Sequence, residues 1–183
     1  MTTSSPPPQF AYFSRVLHWL MAMMLLAMLF IGISMVASLG SYHVLLAIHR
    51  PLGIMILVFA VVRLVNRLVT TLPPFAPTMS LREQRIASAS ERLLYGLMFA
   101  LPLVGWGMLS AGHYPIVLAG SLHLPGILPA NPTLYAWLRR THTILAFVLF
   151  ATFLAHLTAV LFHTLIVRDR ILHRMALGPF RPR

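Results

Sequence analysis

Residues 136–167 read AWLRRTHTILAFVLFATFLAHLTAVLFHTLIV. After Arg140 this stretch contains no acidic or basic side chain other than histidine. A helix needs about 20 mainly apolar residues to cross a bilayer, so the stretch reads as a membrane-spanning helix. His142 and His156 stand fourteen residues apart within it. That spacing is almost four helical turns and a rise of about 21 Å, so both imidazoles face the same way at two depths. It suits two flat macrocycles stacked inside a helical bundle, each taking one histidine from this helix.

Three further apolar spans precede this one, over residues 13–39, 44–68 and 93–111. Gly40, Ser41 and Tyr42 make a tight turn, so the first two spans form a helical hairpin. Residues 69–91 read as a polar loop holding Pro73, Pro74 and Pro77, then a surface helix with Arg82, Glu83 and Arg85. Residues 112–135 read as a Gly/Pro-rich loop. The expected architecture is all-α and integral to the membrane: a flexible tail over 1–12, a four-helix transmembrane domain over 13–167, and a basic cytoplasmic tail over 168–183. The first span is too long for the apolar region of a signal peptide and is read as retained.

Composition agrees. Of 183 residues, 58% are hydrophobic and only 9% are charged, against roughly 25% in a soluble domain. Mean hydropathy is +0.82. All 14 basic residues are arginine and only 3 residues are acidic, giving a net charge of +11. These arginines punctuate apolar runs, which is a topology signal and not a nucleic-acid surface. Arg15, Arg67, Arg82, Arg85, Arg92, Arg168, Arg170, Arg174, Arg181 and Arg183 fall on one side, and Arg50, Arg139 and Arg140 on the other. The first side is expected to be cytoplasmic, with both termini inside. The absence of cysteine excludes disulfides, thiolate metal sites and iron–sulfur clusters. Nine histidines against three carboxylates point to histidine chemistry.

The histidines fall at matching depths. With Ser41 as the outer apex, His49 lies about 12 Å down the second span and His18 about 34 Å down the first. The difference of about 22 Å nearly equals the gap between His142 and His156. His49 therefore pairs with His142 near the outer side, and His18 with His156 near the inner side. His163 lies roughly 10 Å too deep for His18 on this ruler, although helix tilt keeps it as the alternative. A lone buried histidine is more often a hydrogen-bonded core residue than a ligand; the joint arrangement changes that.

Other residues fit the same ruler. Gly32, fourteen residues after His18, faces the outer level, where a missing side chain lets a flat ring approach; close helix packing is the plainer explanation. Arg63, fourteen residues after His49, faces the inner level and could neutralise a haem propionate, or simply snorkel to the interface. Arg50, Arg139 and Arg140 could serve outer propionates or anchor topology.

Zinc would prefer three or four ligands at one centre with carboxylate or thiolate help. Glu83, Glu91 and Asp169 are expected in loops or at span edges. Haem b needs one histidine on each ring face and an apolar slot, which the Met-, Phe- and Leu-rich interior supplies. The methionines themselves read mostly as core filler.

SRVLHWLM from Ser14, IHRPLG from Ile48, VVRLVNRL from Val61, ALPLVGWGML from Ala100 and the His142/His156 pair together resemble the bacterial cytochrome b561 family. The resemblance covers nearly the whole chain in order. It implies a four-helix, two-haem, quinone-linked membrane cytochrome with His18, His49, His142 and His156 as axial ligands. One branch of that family oxidises superoxide and passes the electron to ubiquinone. Residues 112–135 match least, and branches differ there.

The expected function is electron transfer by a protein with two haem b groups in the inner membrane, between an outer donor such as superoxide and ubiquinone. Outer arginines, with His113 and His123, would attract a small anion. An alternative is an anchor subunit taking electrons from a hydrogenase or dehydrogenase partner, with residues 115–118 as a docking patch. A non-haem transporter or scaffold is the alternative of another class, and it predicts no visible absorption. Trp106, Tyr114 and Trp137 could line a quinone site, although aromatic belts occur at most membrane interfaces.

Overall fold

The computed structural model describes residues 8–119, 122–169 and 171–178. The proline-rich tail through Pro7, and Arg170, Arg181 and Arg183 of the inner positive count, lie outside the described residues. Four long helices follow one another: α1 (Tyr12–Ala37), α2 (Tyr42–Val69), α3 (Leu81–Ala111) and α4 (Pro132–Phe162). All four are long and apolar enough to cross a membrane. The chain is an all-α, four-helix membrane bundle.

A single 3-10 turn, Leu39–Ser41, reverses the chain between α1 and α2. α1 packs along α2, α3 packs along α4, and the two hairpins meet through α2 and α3. The backbones of α1 and α2 stay further from α4. Histidine rings bridge that gap.

Helix α3 departs from expectation. The surface helix and the third span are one continuous helix of 31 residues. Ser80 starts it: its hydroxyl accepts from Glu83 N, and the Glu83 carboxylate accepts from Ser80 N. This reciprocal cap satisfies two otherwise unpaired donors. No proline falls in 81–101, so nothing breaks the helix before Pro102. At 1.5 Å per residue it is about 46 Å long, against a hydrocarbon core of about 30 Å. Glu91 therefore lies inside a helix, where it pairs with Arg67 of α2 at 2.5 Å.

The outer connection is folded. Strands β1 (Val117–Ala119) and β2 (Leu122–His123) pair antiparallel, and β1 rests on α2. The Trp106 indole donates to Pro125 O at 2.9 Å, and Ile127 N donates to Ser110 Oγ at 3.1 Å. α4 begins earlier than expected because Asn131 caps it, accepting from Leu134 N, with Pro132 in its first turn. Within residues 115–118, Ile116 is buried, Val117 and Leu118 are half-buried and Pro115 is exposed.

The inner end is also capped. Beyond α4 the chain makes a π turn (His163–Val167), and a 3-10 turn, Ile171–Arg174, returns to the start of α1. Phe10 N donates to Arg174 O at 3.2 Å, Gln9 Nε2 to His173 O at 2.8 Å, and Trp19 Nε1 to Met175 O at 2.8 Å. Buried Arg174 donates to Pro74 O and lies over the Phe10 ring. Gln9 and Phe10, expected within a flexible tail, are thus held in place, and residues 171–176 form a cap in place of a loose tail. Both described ends of the chain meet on the same side.

The core sits at mid-depth. Met21, Met24 and Leu25 of α1 meet Ile56 and Ala60 of α2, Leu97, Met98 and Leu101 of α3, and Leu149 of α4. Leu149 is seven residues from both His142 and His156. This apolar plug separates two levels of the bundle. Outward-facing Phe30, Phe147 and Ile33 are more than half exposed, which a lipid environment accommodates and water would not.

Candidate functional site

Each level holds one pair of histidines from different helices. At the outer level, His49 of α2 faces His142 of α4, with ring centroids 6.2 Å apart. At the inner level, His18 of α1 faces His156 of α4, with centroids 6.5 Å apart. The four residues that the depth ruler selected are brought together in the expected pairs. Two imidazoles bound to opposite faces of one metal, each at about 2 Å, have centroids roughly 6–6.5 Å apart. Both pairs have that separation.

Two glycines differ in what surrounds them. A Cβ added to Gly32 would meet nothing within 4 Å, so close helix packing is not what this glycine serves. Gly105 of α3 is the opposite case: a Cβ there would lie 3.3 Å from Cε1 of His142. Gly105 seats the His142 ring. It lies within the ALPLVGWGML stretch but falls at no special position on the depth ruler.

Polar atoms at the outer pair are left open. Nδ1 of His49 and Nδ1 of His142 are buried without a hydrogen-bond partner among the described residues. The Leu101 backbone stands beside His142 without closing a bond of good geometry. Buried, unpaired polar atoms cost about 1–3 kcal/mol each, and they cluster at sites built for something else.

At the inner pair, Arg63 Nη2 is 3.2 Å from Nδ1 of His18, and its Nε donates to the Tyr95 hydroxyl at 3.0 Å. Arg63 thus reaches the inner site and does not simply snorkel away from it. Ser14, Asn66, Arg67, Glu91 and Tyr95 line a small pocket with it, together with apolar Phe10, Leu72 and Met175. Asn66 donates to Ser14 Oγ at 2.7 Å, tying α2 to α1. Ser14 and Asn66 lie within the stretches SRVLHWLM and VVRLVNRL, and Tyr95 in neither, but the contacts of all three depend on which helices adjoin.

His163 stands apart from both pairs. Its Nδ1 lies 2.6 Å from Asp169 Oδ2, which also accepts from Thr78 at 3.2 Å. Arg168 has φ 57°, the left-handed conformation that turns the chain so that Asp169 meets His163. No cluster of three or more metal-ligating side chains occurs among the described residues. Histidine pairs, not a compact metal centre, are the chemistry on offer.

Arg50 follows His49 directly, and its Nη1 donates to Pro115 O at 3.4 Å. It therefore clasps the outer connection instead of standing free. Arg139 and Arg140 are exposed at the outer end of α4.

Residues 9–178 match the family described as prokaryotic cytochrome b561. The chain belongs to this family. It is 27% identical over 178 residues to "Cytochrome b561 homolog 2" of Escherichia coli (strain K12), covering 96% of this chain and 95% of that one. It is 30% identical over 128 residues to "Probable superoxide oxidase CybB" of Yersinia pestis, covering 70% of this chain and 72% of that one. Members of this cytochrome b561 family bind haem b and carry electrons in the membrane.

Proposed function

We propose that this b561-family protein holds two haem b groups, one at each histidine pair, and passes electrons from an outer-side donor to ubiquinone in the bacterial inner membrane. The observation that carries this reading is the stacking of two opposed histidine pairs at two depths, with centroids 6.2 and 6.5 Å apart. His49 and His142 would be axial ligands of the outer haem, and His18 and His156 of the inner haem. Bound haem supplies one-electron redox chemistry.

The remaining work belongs to the chain. Gly32 and Gly105 leave room for a ring edge and a ligand ring. The plug around Leu149 and Met24 excludes water between the two levels. Arg63 supplies positive charge beside His18 and would pair with a carboxylate there. At the outer end Arg139, Arg140 and the clasped Arg50 present positive charge that no acidic residue opposes, since Glu83, Glu91 and Asp169 lie toward the inner end.

That field suits a small anion, and superoxide is the proposed donor. Two superoxide ions yield two dioxygen molecules and two electrons; with two protons these convert one quinone to quinol. An anchor for a hydrogenase or dehydrogenase is the second reading; burial of Ile116 removes one apolar side chain from the patch at residues 115–118 that would dock such a partner.

The deciding experiment is a pyridine haemochrome assay on purified protein. It should find two haem b per chain, and the spectra of the native protein should be those of six-coordinate, low-spin haem. One haem or none overturns the reading.

A further inference from the structure

Tyr135, Arg139, Arg140, Thr143, Ile144 and Phe147 line an open groove of about 540 Å³ on one side of α4. Its upper part carries two guanidinium groups within three turns of the helix start at Pro132. Its lower part is apolar, with Ile144 54% and Phe147 70% exposed. Trp137, 63% exposed, stands at the same level in the position of an interfacial aromatic.

The two arginines lack a counter-charge. Among the described residues the ion pairs are Arg67–Glu91 and His163–Asp169. The whole chain has only three acidic residues, and Glu83, Glu91 and Asp169 belong to the inner half of the fold. No acidic side chain of this protein can reach Arg139 or Arg140. Exposed arginines near the end of a membrane helix attract anionic lipid headgroups. Any group that neutralises these two comes from outside the chain.

We propose that this groove binds one anionic phospholipid of the outer leaflet. Its phosphate would take the paired arginines, which match phosphate oxygens in bidentate geometry. One acyl chain would lie along Ile144 and Phe147. A zwitterionic lipid presents the same phosphate with a cationic group beside it, which the guanidinium pair disfavours. The groove centres away from the histidine site: at about 100° per residue, Arg140, Thr143, Ile144 and Phe147 lie roughly 100–160° around α4 from His142, while Arg139, at about 60°, and Tyr135, at about 20°, form its edge toward that site.

The test uses the full-length protein released from nanodiscs containing phosphatidylglycerol or phosphatidylcholine and read by native mass spectrometry. The protein should keep one phosphatidylglycerol under activation that strips phosphatidylcholine. R139Q/R140Q should lose that retention at least tenfold, with helical circular dichroism unchanged. R139K/R140K should keep part of it and covers the case in which the glutamine variant does not fold. Equal retention of the two lipids by the unaltered protein overturns the proposal. So does undiminished phosphatidylglycerol retention in R139Q/R140Q. Loss of haem absorbance in that variant with lipid retention intact also overturns it, and assigns the arginines to haem carboxylates.

Discussion

Arg63 of α2 is held between two other helices: its Nη2 lies 3.2 Å from Nδ1 of His18 on α1, and its Nε donates to Tyr95 on α3. A guanidinium only donates, so Nδ1 of His18 is the acceptor. An imidazole that binds a metal through Nε2 carries its hydrogen on Nδ1 and needs an acceptor there. Under the proposed function Arg63 must therefore turn away from Nδ1 when the inner site fills, and a haem carboxylate is the partner that its geometry favours.

Arg63→Gln should lower the midpoint potential of the inner haem and leave the outer one in place. A unit charge some 8–12 Å away at an effective dielectric of about 20 contributes roughly 1.5–2 kcal/mol. With about 60 mV for each 1.4 kcal/mol in a one-electron couple, the fall should be about 60–90 mV. A redox titration resolving two components checks this. Unchanged potentials would remove Arg63 from the inner site.

Ligand substitutions should separate by level. His49→Ala or His142→Ala should abolish the outer haem signal and keep much of the inner one. His18→Ala or His156→Ala should do the reverse. The levels are about 21 Å apart by helix rise, so effects should be near-additive. Low-temperature optical and electron paramagnetic resonance spectra of each variant provide the measurement.

His163→Ala should keep both haems and lose stability. Removing it leaves buried Asp169 without its main partner, since the two lie 2.6 Å apart with side-chain exposures of 10% and 2%. Losing this buried hydrogen bond costs about 1–3 kcal/mol, since Asp169 keeps Thr78 and Ile171 N as donors. Thermal unfolding in detergent should show a drop, while the haemochrome value stays at two per chain. Loss of a haem in this variant would return His163 to the ligand set.

Superoxide should reduce the protein at a rate that falls as ionic strength rises, with a Debye length of about 10 Å at 0.1 M salt. R139Q/R140Q should be slower again in zwitterionic membranes, where no anionic lipid neutralises the two arginines, and the difference should shrink when anionic lipid is added. Arg50→Gln should have a distinguishable effect, because Arg50 also clasps Pro115 O. Hydrogen exchange should rise across residues 112–119 in that variant. Stopped-flow rates indifferent to salt and to the loss of Arg139 and Arg140 would refute steering.

Arg174→Ala should loosen the inner cap. Arg174 is buried, donates to Pro74 O and to Pro8 O, and lies over Phe10. Losing these bonds should cost about 2 kcal/mol. Limited proteolysis should cut the terminal segment faster. Arg174→Lys should rescue only partly, because an ammonium lacks the planar fork that reaches two carbonyls.

The number of spans, the outer hairpin at Gly40 and the shared depths of His49 with His142 and His18 with His156 were legible in the residues alone. The reason is physical: bilayer thickness bounds each span, and the constant rise of a helix turns residue spacing into depth. Continuity of α3 was within reach as well, since Ser80 and Glu83 are a capping signature, but the charged residues at Arg82 and Arg85 suggested a separate surface helix.

The tertiary structure decided what depth cannot. Depth left His163 open; the left-handed turn at Arg168 brings Asp169 onto it and takes it out of the inner pair. Depth placed Arg63 at the inner level; only the approach of α1 and α3 puts His18 and Tyr95 within its reach. Arg50 read as a free outer charge until the outer connection folded back and placed Pro115 O beside it. Gly105 became informative only when α3 met α4 and the His142 ring came to rest against it. The first depends on a turn conformation and the other three on which side chains meet across helices; helical spacing fixes depth and neither of these.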